Sequence, residues 1–157
     1  MSISKFIIAS SALCSLVLSG CASVPLASQQ EMLQAKAFAV PTENNAGIYI
    51  YRDSFAGKAL KKDIYIDGKC VGETADKTFF YVQVPGGQVH KISTESEFSP
   101  NDFTINTLSG RNYFIRQSIK MGVFVGGAGL SESSETEGKR VISKPAVKLA
   151  KEGHCDN

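Results

Sequence analysis

From Gly47 onward, apolar and polar side chains alternate with a period of two, broken at regular intervals by Gly, Pro, Asn and Asp. Ile48 and Ile50 share one face of the first such segment and Tyr49 and Tyr51 the other, which predicts a half-buried strand ending near Arg52-Asp53. Ile64-Tyr65-Ile66 repeats the pattern. Asp67-Gly68 follows it, a residue pair that reaches positive φ in a tight hairpin, so Lys69 to Thr74 is expected to return antiparallel. Phe79 to Val84 is a third strand segment, closed by the turn residues Pro85-Gly86-Gly87. Val89 to Thr94, Phe103 to Leu108 and Asn112 to Met121 continue the series, with a turn at Gly110. In the last of these, Tyr113, Ile115 and Ile119 are expected inward, with Arg116, Ser118 and Lys120 outward.

Met121 to Leu130 is apolar and rich in glycine, and reads as a strand end with a glycine-bulged connection into the next strand. Its functional alternative is a flexible apolar flap, including Val123, Phe124 and Val125, that touches a partner protein, an acyl chain or the membrane. Glu132, Glu135 and Glu137 lie among serines and threonines and read as a solvated strand or loop, followed by a short buried segment at Val141-Ile142. A helix is expected after that, with Ser143 as cap, Pro145 in the first turn, Ala146, Leu149 and Ala150 on one face and Gly153 as terminator. Short strands separated by turns, without long helical patterns between them, predict an all-β fold. The expected architecture is an antiparallel β-sandwich of about 7–9 short strands over residues 46–157, with a short C-terminal helix.

Ahead of this region the pattern is different. Lys5 precedes an apolar run from Phe6 to Leu18, which ends in Leu18-Ser19-Gly20-Cys21. That order is expected of a bacterial lipoprotein signal: residues 1–20 would be removed and Cys21 acylated. The run is shorter than the roughly 20 residues that a spanning helix needs. Diacylglycerol and amide-linked acyl chains on Cys21 would make attachment effectively permanent, because each buried methylene contributes roughly 0.8 kcal/mol. Ala22, rather than Asp, follows the cysteine and points to the outer membrane, with the domain facing the periplasm. Residues 21–45 read as lipidated N-terminus and tether; Gln29 to Ala39 holds good helix formers before Pro41.

Composition narrows the classes of function. The chain has 17 Lys and Arg against 15 Asp and Glu, with no stripe of basic residues, so nucleic acid is not an expected partner. Four cysteines occur; Cys14 would leave with the signal and Cys21 would be acylated, leaving Cys70 and Cys155 in an oxidising compartment. A disulfide between them is the expectation, against two free thiols or one reactive thiol. A catalytic reading would join His90 to Cys70 as nucleophile, with Asp67 or Asp76 as orienter; the plainer one makes His90 a strand-start residue whose ring satisfies local hydrogen bonds. His90, His154 and the two cysteines lack the close ligand spacing of a metal site, and no cofactor is expected. Tyr49 and Tyr51 form a candidate contact stripe, unless they pack against a neighbouring strand or the tether.

The order Arg52, Ile64 to Lys69 with Val71-Gly72, Phe80 to Val84 with Pro85-Gly86 and His90, then Asn112-Tyr113-Phe114 resembles the domain-of-unknown-function 2846 family of bacterial lipoproteins. Its Asp-Gly, Val-Gly and Pro-Gly…His order is also similar to PEGA-type β-sandwich modules, although here Gly87-Gln88-Val89 separate Gly86 from His90. The likeness covers most of residues 46–150, implies fold and location, and brings no catalytic residues. The expected function is therefore non-catalytic: a tethered envelope module that binds another envelope protein or serves structurally. Its rival is a small-ligand carrier or hydrolase that uses Gly122 to Leu130 as a lid over a pocket bordered by groups such as His90.

Overall fold

Every residue from Ala46 to Arg52 is buried in β1 (Asn45–Arg52), although the sequence alternates there between two kinds of apolar side chain. The cause is position. In this computed structural model, which describes residues 22–95, 101–120, 122 and 126–155, β1 lies in the middle of a sheet covered on both faces. The other strands are β2 (Lys62–Ile66), β3 (Lys69–Thr74), β4 (Thr78–Pro85), β5 (Val89–Thr94), β6 (Asn101–Asn106), β7 (Asn112–Lys120), β8 (Gly127–Ser133) and β9 (Lys148–Leu149). They form a five-stranded sheet in the order β8-β7-β1-β4-β9 and a four-stranded sheet in the order β3-β2-β5-β6. Two short helices, α1 (Gln29–Lys36) and α2 (Glu135–Ile142), cover the outer face of the larger sheet.

The fold is thus the expected β-sandwich with a third, helical layer. Between the sheets lie Ile48, Ile50, Phe80 and Ile115 from one side and Ile64, Val71, Ile92 and Ile105 from the other. The turn chemistry at Asp67-Gly68 is as read: both residues have positive φ, at 51° and 76°, and join β2 to β3 in a two-residue hairpin. Two pairings depart from an antiparallel plan. β1 runs parallel to β7, with Tyr49 opposite Phe114, and β4 runs parallel to β9. Between β1 and β7 the chain passes through the second sheet, so the two strands re-enter the first sheet in the same direction.

A short helix stands near the C-terminus, but not where Pro145 suggested. Residues 135–142 form it, and the stretch read as a solvated strand or loop supplies its start: the Ser134 side chain accepts from the Glu137 amide, at 3.2 Å. Glu135 and Glu137 occupy the positive end, with Lys139 and Arg140 in the last turn, an arrangement that suits the helix dipole. Glu135–Lys139 and Glu137–Arg140 ion pairs add support along its surface. Gly138 lies where the helix crosses Phe114: a Cβ there would come within 2.4 Å of the ring. After Ser143 the chain turns through Lys144 to Val147, and Lys148-Leu149 pair with Thr78-Phe79 of β4 instead of continuing a helix.

The segment between residues 22 and 45 is folded onto the sandwich. A reciprocal Ser28–Glu31 capping box starts α1. The Lys36 ammonium then donates to the carbonyls of Lys144 and Val147, at 3.0 and 2.6 Å. Ala27 donates to Leu149, Lys151 donates to Pro25, and Asn112 reaches the Ala39 carbonyl. Val24 is buried in the core between the sheets. The described part of this segment is thus held to the body from its first residue, the Ala22 amide donating to the Lys58 carbonyl.

Candidate functional site

Tyr49 and Tyr51 are not a contact stripe. They are 1% and 0% exposed, because α1, α2 and the loop between α1 and β1 cover that face. Tyr49 stacks on Tyr81 and Phe114 with ring centroids 4.4 and 5.0 Å apart, and its hydroxyl donates to the Ala35 carbonyl at 2.8 Å. Tyr51 donates to the Ser133 hydroxyl at 3.0 Å. Burial first, and Tyr81 second, raise the Tyr49 pKa, so the phenol stays neutral and keeps its donor role. An alternating pattern marks two faces but cannot say that both will be covered.

Val123, Phe124 and Val125 lie outside the described residues, as does Cys21. Gly127 to Leu130, read as part of the same flap, belong to β8 and pair with Gln117 to Lys120. The described stretch Gly126 to Leu130 begins at the opposite end of the sandwich from His90. β7 reaches it at Lys120, beside the end of β1 at Arg52, whereas His90 lies near the other strand ends at Pro85 and Asp67. Among the described residues, no pocket joins the flap to that histidine.

His90 does find a carboxylate, but in a structural role. The ring is buried at the start of β5; Nδ1 is 2.7 Å from Asp67 Oδ2 and Nε2 is 2.8 Å from the Pro85 carbonyl oxygen. Both ring nitrogens face acceptors, so the doubly protonated form satisfies both. Burial pushes the His90 pKa down, but Asp67 and the Pro85 carbonyl outweigh it and leave it above its ordinary value. Asp67 moves the other way: desolvation opposes the change, and hydrogen bonds from His90 and the Lys91 amide hold it below the usual carboxylate range. The ring joins the β2–β3 turn to the end of β4. Cys70 offers it no nucleophile, being bonded to Cys155.

The sign of the pH dependence follows. The His90 contribution is fully present below the ordinary histidine value of 6.5 and is lost as pH rises through the raised folded value. The Asp67 contribution is present above 3.8 and is lost as pH falls through its lowered folded value. Stability from the pair is expected to fall by roughly 1 kcal/mol as pH is raised past the folded His90 value, a figure at the low end for charge-assisted bonds because Asp67 is half-exposed. Urea unfolding of the protein and of Asp67→Asn across that range checks it. Asparagine tolerates the positive φ but carries no charge, so the variant should show a flatter profile.

The opposite end of the sandwich carries the arrangement that sequence reading missed. Arg52 closes β1 and is fully buried, the largest such side chain among the described residues. Nη1 donates to the carbonyls of Leu60, at 2.7 Å, and Thr74, while Nη2 donates to that of Gly57. Burial lowers its pKa, opposed by the charge of Asp76. Nε of Arg52 and Oδ1 of Asp76 are both buried without a hydrogen-bond partner. The guanidinium thereby shapes the loop between β1 and β2, in which Phe55 is 92% exposed. The Lys58 carbonyl of the same loop accepts from the Ala22 amide, at 3.3 Å. Beside this junction a cavity of about 320 Å³ is lined by Ala22, Val24, Lys58, Asp76, Lys77 and Lys148. The only early signal was an arginine closing an otherwise apolar strand.

Among the described residues, no group of three or more His, Cys, Asp or Glu side chains is placed to hold a metal ion. Cys70 and Cys155 are joined, with Cα atoms 6.0 Å apart, tying the end of the chain to β3. No solved structure matches the chain. An uncharacterized protein of Haemophilus influenzae (strain Rd) is similar to it, 61% identical over 129 residues that cover 82% of this chain and 76% of that protein. The family model described as a protein of unknown function, DUF2846, matches residues 42–128, from the end of the docked N-terminal segment to the start of β8. On that match and that relative, the chain belongs to the DUF2846 family.

Proposed function

We propose that this protein is an outer-membrane-anchored lipoprotein, facing the periplasm, that acts as a non-catalytic binding or structural module of the cell envelope. The observation that carries the reading is the junction at Cys21. The acylation pattern Leu18-Ser19-Gly20-Cys21 ends one residue before Ala22, which is already hydrogen-bonded to the β1–β2 loop. A peptidase that cuts before Cys21 would release the whole folded unit with its anchor at one end. The Cys70–Cys155 disulfide supports an oxidising compartment such as the periplasm. The filled interior between the sheets, and a histidine occupied on both nitrogens, favour a surface-acting module over a carrier with an internal cavity.

The Cys21→Ser substitution tests the anchor. The native protein is expected to take up a labelled fatty acid and to fractionate with the outer membrane, and the variant to do neither. A variant that stays in the outer-membrane fraction with unchanged mobility overturns the reading. Crosslinking in intact envelopes tests the module: a reproducible protein partner supports it, and turnover of an envelope substrate by the purified domain overturns it.

A further inference from the structure

Phe55, Lys58, Lys77 and Lys148 share the end of the sandwich at which the chain leaves toward Cys21. Lys58 lies in the loop that holds the Ala22 amide, and its ammonium sits 4.9 Å from the centre of the exposed Phe55 ring. Lys77 is at the tip of the β3–β4 turn, and its carbonyl accepts from the Lys148 amide at 2.9 Å. The acidic groups nearby are already engaged. Asp53 pairs with Lys144, Glu73 with Lys61 and Glu95 with Lys62, while Asp76 lies within the field of Arg52. Among the described residues, none of Lys58, Lys77 and Lys148 forms an ion pair.

We propose that this end of the sandwich is a docking face for anionic phospholipid, seating Phe55 at the acyl boundary and Lys58, Lys77 and Lys148 on headgroup phosphates. The inference rests on the lipoprotein reading, because it uses Cys21 as the point of insertion. With the anchor on the residue next to Ala22, whose amide is hydrogen-bonded to the body, the end that carries Ala22 must lie against the membrane that holds the acyl chains. An exposed aromatic ring beside long-stemmed ammonium groups suits that boundary: the ring sits among upper methylenes while the lysines extend to the phosphates. Negative surface potential attracts lysines held within about one Debye length, roughly 8–10 Å in physiological salt. Anchor and face together would fix the orientation of the domain, where an anchor alone would leave it free to tumble.

The chain contains no tryptophan, so Phe55→Trp places a single fluorophore on the face. The acylated protein carrying this substitution is reconstituted into phosphatidylethanolamine vesicles, with or without phosphatidylglycerol, containing acyl-brominated lipid. The expected result is flotation with both kinds of vesicle and tryptophan quenching stronger by roughly twofold in the anionic ones, a gain abolished when Lys58, Lys77 and Lys148 are all changed to glutamine. These side chains are outside the core and outside ion pairs, and an unchanged urea midpoint verifies the fold. Flotation without quenching overturns the docking face and leaves the anchor standing. Quenching that is equal in both vesicles and indifferent to the three lysines overturns the phosphate contacts. Failure to float when acylated overturns the anchor itself.

Discussion

Replacing Cys70 and Cys155 together by alanine is expected to lower the unfolding free energy by up to about 4.5 kcal/mol, the chain-entropy value for a loop of this length. The bond closes a separation of 85 residues, so reduced chains gain much conformational freedom when they unfold. In the folded state the same residues are also held by the Gly153 to Val71 and Lys151 to Pro25 hydrogen bonds, which survive the substitution. The double variant should therefore still fold, with the loss seen as a lower urea midpoint. The single variant Cys70→Ala leaves Cys155 unpaired and is expected to give disulfide-linked dimers under oxidising conditions, visible on non-reducing gels. A double variant as stable as the oxidised protein would show that the reduced chain is already restrained by other structure.

Arg52→Ala is expected to cost about 3–5 kcal/mol, because it removes a fully buried side chain and strips the Gly57, Leu60 and Thr74 carbonyls of their donor. It also leaves Asp76 without its neighbouring positive charge. Arg52→Lys keeps the charge but not the fork, since one ammonium cannot reproduce the guanidinium geometry; about half of the loss should remain. Methionine at this position supplies volume without a donor and should fall close to alanine if the hydrogen bonds dominate. Urea unfolding of the three variants separates the contributions. Proteolysis between residues 53 and 61 offers a second readout, because this loop takes its shape from the guanidinium and should be cut faster in Arg52→Ala than in the parent.

Local physics made much of the fold readable. Period-two alternation placed β1, β2, β4, β5 and β7, and Asp67-Gly68 marked a hairpin because few residue pairs reach positive φ twice in succession. Elimination left Cys70 and Cys155 to pair, and the structure joins them. α2 is also written locally, in Ser134-x-x-Glu137 ahead of Val141-Ile142, but glutamates among serines equally fit a solvated strand or loop, and Pro145 points to a later start. Capping chemistry was the better guide there, because it satisfies amides that a helix must otherwise leave open.

The sequence by itself determined a β-sandwich body, written in strand alternation and turn residues, and the two cysteines that close it. Tertiary structure alone decided which of two apolar faces would be covered twice, burying Tyr49 and Tyr51 beneath α1 and α2. It likewise paired β1 with β7 in parallel, drew Arg52 into a cage of distant carbonyls and brought Lys58, Lys77 and Lys148 to the end where Ala22 emerges. The reason is physical: these features depend on side chains far apart in the chain meeting when sheets and helices pack, and no local periodicity records which surfaces will meet.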